Sequence, residues 1–273
     1  MEKLFPENNK EVDMMNFETI IVEKKGHVAR ITLNRPQRLN AVNSTLGLEM
    51  KQALEAIAVD DEVRVLVLTG NPRIREKDGQ QEIKHCFSAG WDLSETSPVE
   101  PIVEMLAEYE KPVIAMVNGF ALGGGCEIAL ACDFIFVSEN AEMGLPEINR
   151  GLLPGWGGTQ RLPRRIGLSL AKRMIFTGET VNGIEAKDIG LADEVVKKED
   201  LDRVVSSFAE KLAAKPPLGL RKIKSVINKG IDTDLKSGLK LEQEGLGILV
   251  QTEDFQEGIA AFMEKREPQW KGR

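Results

Sequence analysis

The sequence predicts an α/β fold followed by a helical C-terminal region, and three observations carry that prediction. Short apolar runs rich in β-branched residues, at 63–70, 113–117 and 134–138, have the length and composition of buried strands. Segments with helical periodicity alternate with them, separated by glycine and proline. From residue 201 onward the text is helical throughout, over 201–214, 218–229, 235–250 and 255–265, with Pro216 and Pro217 as a break. The expected organisation is a loose acidic leader at 1–15, an α/β core at 16–200 and a helical region at 201–273.

Taken in order, residues 17–22 and 28–33 read as a hairpin around the turn at 23–26, which Asn34-Arg35-Pro36 ends. Ser44 is placed to cap a helix whose apolar positions Leu46, Met50, Leu54 and Ile57 recur at helical spacing. After the strand at 63–70, residues 71–85 are polar and charged and read as an exposed loop. A short helix is expected over 99–109, and a Gly- and Pro-rich stretch over 151–160.

The middle of the chain, PVIAMVNGFALGGGCEIALACD at 112–133, is the stretch on which the rest is organised. An apolar strand breaks at Asn118-Gly119, re-forms over Phe120-Ala121-Leu122, and meets Gly123, Gly124 and Gly125 before a helix-forming run. Glycines there let a backbone approach a ligand, and the first helical turn offers unpaired N–H groups and the positive dipole end. Such a place suits an anion or an oxygen that becomes one. Glu127 falls in that first turn. The plainer account is a tight strand-to-helix joint, and the glycines alone fit both.

Composition narrows the function. The chain has 273 residues, 42% of them hydrophobic and 29% charged, ordinary for a soluble globular protein. A net charge of −7 argues against nucleic acid or an anionic membrane as the main partner. Cys86, Cys126 and Cys132 lack metal-site spacing and a disulfide pattern, which fits a reducing, cytoplasmic setting. His27 and His85 are the only histidines, too few to make a His-based triad or zinc site attractive. No run approaches the roughly 18 apolar residues of a membrane span.

Five segments in one order give a more specific result: LNRPQRLNAVN, FSAGWDL, KPVIAMVNGFALGGGCEIALACD, LPEINRGLLPGWGGTQRL and EGIAAFMEKREPQWKGR. From about Phe17 to the end the chain resembles the enoyl-CoA hydratase/isomerase, or crotonase, superfamily. The resemblance implies a crotonase-like spiral of ββα units with a helical C-terminal trimerisation region, and a homotrimer or dimer of trimers. It implies an acyl-CoA substrate whose thioester carbonyl is held by the backbone N–H groups of Trp91 and Gly124. It carries the two hydratase carboxylates onto Glu127, as the water-activating group, and Glu147, as the acid at the α carbon. No metal and no separate cofactor are expected, coenzyme A being part of the substrate.

The resemblance also places the Ala89 backbone near the adenine and Lys265 near the coenzyme phosphates, sometimes from the adjoining subunit; Lys265 could equally be a helix-end cation favoured by the dipole. Ser94 stands where many members carry a phosphate-binding lysine. Arg38 could compensate, although a solvated loop charge is the simpler account, and Phe262 is assigned to the core. The loop at 71–85 is longer than is usual in the family and the stretch 93–111 shorter, so the acyl pocket is expected to differ from that for straight-chain substrates. Trp91 and Trp156 are candidate walls of it, or core residues.

The resulting expectation is an enoyl-CoA hydratase of fatty acid metabolism. A hydratase of a cyclic or dienoyl-CoA and a double-bond isomerase working with Glu147 alone are the alternatives. A non-catalytic RNA-binding or scaffold homologue fits the acidic balance less well. The spacing of Gly123-Gly124-Gly125 is not that of a dinucleotide-binding loop.

Overall fold

The computed structural model describes residues 17–77 and 79–273; the leader expected at 1–15 lies outside them. In chain order the elements are β1 (Ile20–Lys25), β2 (Val28–Leu33), α1 (Ser44–Val59), β3 (Val65–Gly70), β4 (Arg73–Lys77), β5 (Gln80–Lys84), β6 (Cys86–Ser88) and α2 (Ile102–Ala107). The central stretch gives β7 (Val113–Val117), β8 (Phe120–Leu122), α3 (Gly124–Ala131), β9 (Phe134–Ser138) and β10 (Glu142–Gly144). Then come α4 (Gly158–Ile166), α5 (Leu168–Thr177), β11 (Thr180–Asn182), α6 (Gly183–Asp188) and β12 (Glu194–Val196). Four helices close the chain: α7 (Leu201–Ala213), α8 (Pro217–Gly230), α9 (Leu235–Leu249) and α10 (Glu253–Glu264).

Two sheets carry the core. The larger runs β1-β2-β3-β7-β9-β12, parallel throughout except for the β1–β2 hairpin. All six residues of β3 are buried, because both faces of this sheet are covered. Leu66 and Leu68 join the main core with Met50, Leu54 and Phe87. Val65 and Val67 point the other way, against Leu201, Val205, Ala209 and Ala213 of α7, spaced four apart along one face. The smaller sheet, β11-β10-β8-β6, has β6, β8 and β10 parallel to one another.

Several local expectations are corrected. Asn43, not Ser44, caps α1: its side chain accepts the Leu46 N–H, and Ser44 is the first helical residue. The helix expected at 99–109 is confined to Ile102–Ala107: Pro101, at φ −77° and ψ 59°, is its non-helical N-cap, with the Ile102 N–H turned onto the Glu100 oxygen at 2.8 Å. Residues 71–85 are not a loop: β4 and β5 form a two-stranded antiparallel ribbon that joins neither sheet. Its side chains are mostly exposed on both faces, including the cross-strand pair Ile74 and Ile83, so no apolar alternation marks it. Phe262 is 81% exposed rather than in the core. The last helices expose other large apolar side chains as well, among them Ile227, Leu235, Leu246 and Ile259.

Phe87→Ala, which empties a fully buried site, is expected to cost about 3–5 kcal/mol. Ile83→Ala on the exposed ribbon is expected to cost no more than about 0.5 kcal/mol. Urea denaturation of the two variants checks this contrast.

Candidate active site

Three parallel strands of the small sheet end side by side, and the chain leaves each of them carrying predicted site residues. Ser88 of β6 pairs with Ala121 of β8, and Leu122 of β8 pairs with Gly144 of β10. Beyond β6 come Ala89, Gly90 and Trp91; beyond β8 come Gly123, Gly124 and, in the first turn of α3, Glu127; beyond β10 comes the 3-10 turn Pro146–Arg150 with Glu147. The carboxyl ends of neighbouring parallel strands thus gather residues that are far apart in sequence.

The first two of these segments touch through their main chains. A Cβ on Gly90 (φ +86°) would lie 2.6 Å from the Gly124 nitrogen and 2.7 Å from the Leu122 oxygen. One on Gly124 would lie 3.3 Å from the Gly90 Cα and 2.6 Å from the Trp156 ring. No side chain fits at either position. Among the described residues neither the Trp91 nor the Gly124 amide donates a hydrogen bond: the bridge to Val42 uses the Gly90 oxygen and the Asp92 nitrogen, and Gly124 opens its helix.

Glu127 is only 2% exposed, not a solvated surface charge. Its Oε1 accepts N–H groups from Trp156 and from Gly158, both at 2.7 Å, the second belonging to the first turn of α4. These contacts fix one oxygen, and Oε2 receives no hydrogen bond from the described residues. Burial pushes the Glu127 carboxyl above its ordinary range against the pull of the two amides, and the charge of Glu147 adds to the rise. Glu147 is half-buried, with Oε1 beside Gly123. Its Oε2 is buried without a hydrogen-bond partner. Burial raises this carboxyl too, opposed by its own backbone N–H and by the nearby charge of Arg150.

Trp156 belongs to the same cluster, packed on Gly124 and bonded to Glu127. Arg161 holds its carbonyl at 2.9 Å. The Trp91 side chain is 45% exposed, and Ala89 is half-buried with its N–H on the Leu39 oxygen. Lys265 is exposed as the left-handed C-cap of α10, and no hydrogen bond or ion pair ties it to the carboxylates. Arg38 is exposed, as a solvated charge would be, and Ser94 bonds its neighbour Asp92 at 2.7 Å. Among the described residues no group of three or more His, Cys, Asp or Glu could hold a metal ion, and no helix is long and apolar enough to cross a membrane.

Sequence reasoning missed the segment that braces this cluster. Arg35 pairs with Asp92 at 3.1 Å, and Asn40, wholly buried, bonds the chain at Arg35, Asn71 and Cys86. Both lie within the LNRPQRLNAVN motif, but only its match to a family marked it, not any contact.

Known proteins match the chain along most of its length. The family model described as enoyl-CoA hydratase/isomerase matches residues 23–273. The short-chain-enoyl-CoA hydratase of Clostridium acetobutylicum is 40% identical over 92% of this chain and 97% of its own length. The 2,3-dehydroadipyl-CoA hydratase of Escherichia coli is 39% identical over 93% of this chain and 99% of its own. Among solved structures, the enoyl-CoA hydratase of Bacillus anthracis superposes with a TM-score of 0.86 at 38% identity, covering 94% of this chain and all of that one, so the α/β core with its helical C-terminal region has the crotonase architecture.

A carboxyl whose folded-state pKa is raised keeps its proton longer in the folded protein than in the unfolded chain. Its ionisation therefore costs stability once the pH passes the ordinary value near about 4.3. Glu147→Gln is expected to be at least as stable as the parent at pH 8, with the gap closing as the pH falls toward about 4. Urea midpoints across that range measure it, and a gap that widens on acidification contradicts it.

Proposed function

The chain belongs to the enoyl-CoA hydratase/isomerase family, and from that premise we propose that it adds water across the 2,3 double bond of an enoyl-CoA thioester to give a 3-hydroxyacyl-CoA. The observation that carries this reading is the pair of carboxylates at adjoining strand ends, Glu127 buried and Glu147 half-buried, whose Oε2 atoms take no hydrogen bond from the described residues.

In this reading the thioester oxygen accepts the Trp91 and Gly124 N–H groups, which stabilise the charge that builds as the β carbon is attacked; one such donor is typically worth about 10²–10³ in rate. Glu127 Oε2 takes a proton from the water as its oxygen bonds to the β carbon. Glu147, whose carboxyl burial pushes above its ordinary range, gives its proton to the α carbon. Addition leaves Glu127 protonated and Glu147 ionised, and one proton passed between them through water restores the start. No step draws on a metal or a separate cofactor.

An isomerase can work with Glu147 alone. The two amides spent on orienting Glu127 favour hydration, since they hold a second carboxylate in place. The Trp156 ring on Gly124 and the exposed Trp91 ring fit as walls of the acyl pocket, which leaves a cyclic or dienoyl-CoA open as substrate. The two named relatives differ in acyl group at nearly equal identity, so similarity does not choose between them. The Ala89 backbone and Lys265 are assigned to coenzyme A, Lys265 from whichever subunit brings it near. The exposed apolar side chains of α8, α9 and α10 support assembly as a trimer or dimer of trimers. Three free, buried cysteines support a cytoplasmic setting.

Loss of the conjugated thioester absorbance, followed over a panel of linear, branched and cyclic enoyl-CoAs, tests the proposal. Glu127→Gln and Glu147→Gln are each expected to lose about 10²–10⁴ in turnover with little change in affinity for the ester. If Glu147→Gln alone is inactive, isomerisation is the better answer.

A further inference from the structure

The chain between Leu39 and Val42 runs beside the chain between Cys86 and Asp92 and takes up its polar groups one after another. The Ala89 N–H donates to the Leu39 oxygen at 2.9 Å, and the Asp92 N–H donates to the Val42 oxygen at 2.9 Å. Val42 N–H donates to the Gly90 oxygen at 2.7 Å. The Gly90 N–H is held at 3.1 Å by the Ser88 hydroxyl, which itself donates to the Asn40 oxygen at 2.8 Å. With the amides of residues 89, 90 and 92 engaged, that of Trp91 is the one left over.

Asn40 fixes the template side of this ribbon. It is fully buried in the left-handed conformation, at φ +53°. Asparagine tolerates that region better than most side chains do. Its Oδ1 accepts the Arg35 N–H at 3.0 Å, while Nδ2 donates to the oxygens of Asn71 and Cys86 at 3.0 and 2.9 Å. Its own N–H donates to the Arg35 oxygen at 2.9 Å. One side chain thus ties the turn that follows β2, the residue after β3 and the start of β6. The Arg35 guanidinium adds bonds to the Ala41 oxygen and to Asp92.

We propose that Asn40 is a positioning residue for the hydration step: its side-chain amide sets the register of this ribbon, and so aims the one unengaged amide, that of Trp91, at the substrate carbonyl oxygen. The inference rests on the reading of the Trp91 amide as half of the oxyanion site. Its force comes from geometry, because a donor is effective at about 2.7–3.1 Å from the developing oxyanion. A misplacement of about 1 Å can cost on the order of 100-fold.

The test is Asn40→Gly in the full-length protein, since glycine accepts the backbone conformation but none of the side-chain bonds. Two measurements are made: steady-state hydration, and the absorption of a bound aryl-conjugated enoyl-CoA, whose band moves to longer wavelength as its carbonyl is polarised. The expected result is a fall in kcat of about 10- to 100-fold with KM within about threefold, and loss of at least half of the red shift. A purely structural role would lower stability and leave the red shift of the folded fraction intact. A folded variant with red shift and kcat both within about twofold of the parent overturns the proposal. Should Asn40→Gly not fold, Arg35→Lys, which gives up the guanidinium fork on the same ribbon, is judged by the same two criteria. A parent complex with no red shift overturns this proposal together with the oxyanion role beneath it, whereas a shift that persists in Asn40→Gly overturns this one alone.

Discussion

The contact between the backbones at Gly90 and Gly124 is the constraint from which the rest of the site follows. Two chain segments leaving parallel strands are pressed together until no Cβ fits between them. That closeness brings near one another two amides that donate no hydrogen bond among the described residues, in segments that leave paired strands. It also explains why Glu127 must be buried, because the helix that starts at Gly124 turns its first acidic side chain inward, onto the first turn of α4. A carboxylate there is costly to ionise, and the two amides on Oε1 offset part of that cost.

The two glutamates differ in their support although both are pushed the same way by burial. Glu127 has one oxygen committed to Trp156 and Gly158, so its orientation is set before any ligand arrives. Glu147 sits in a short 3-10 turn and has an oxygen with neither water access nor a donor. A neutral, protonated group tolerates that situation better than a charged one. The asymmetry agrees with a division of labour in which one carboxylate accepts a proton and its neighbour supplies one.

Much of this was legible in the sequence, and the illegible parts have physical causes. The strand, turn and helix at 113–131 announced themselves through apolar runs and consecutive glycines, which are local signals. No local signal brings Glu127 together with Glu147, twenty positions further along. Only the parallel pairing of β8 with β10 joins them, and family resemblance supplied what spacing could not. The β4–β5 ribbon was hidden because most of its side chains are exposed, so neither face reads as apolar. Phe262 misled in the opposite sense, being a large apolar residue that the single chain leaves uncovered. The helix cap fell one residue early, at Asn43, because adjacent Asn and Ser are equally able to accept the orphan N–H groups.

Among the described residues the strands β4 and β5 pair only with each other and join neither hydrophobic cluster, yet β5 ends directly beside β6. The ribbon is therefore a natural labelling point: a dye attached at its exposed Ile83 would travel with the strand that leads into the site while sparing the interior that folding requires.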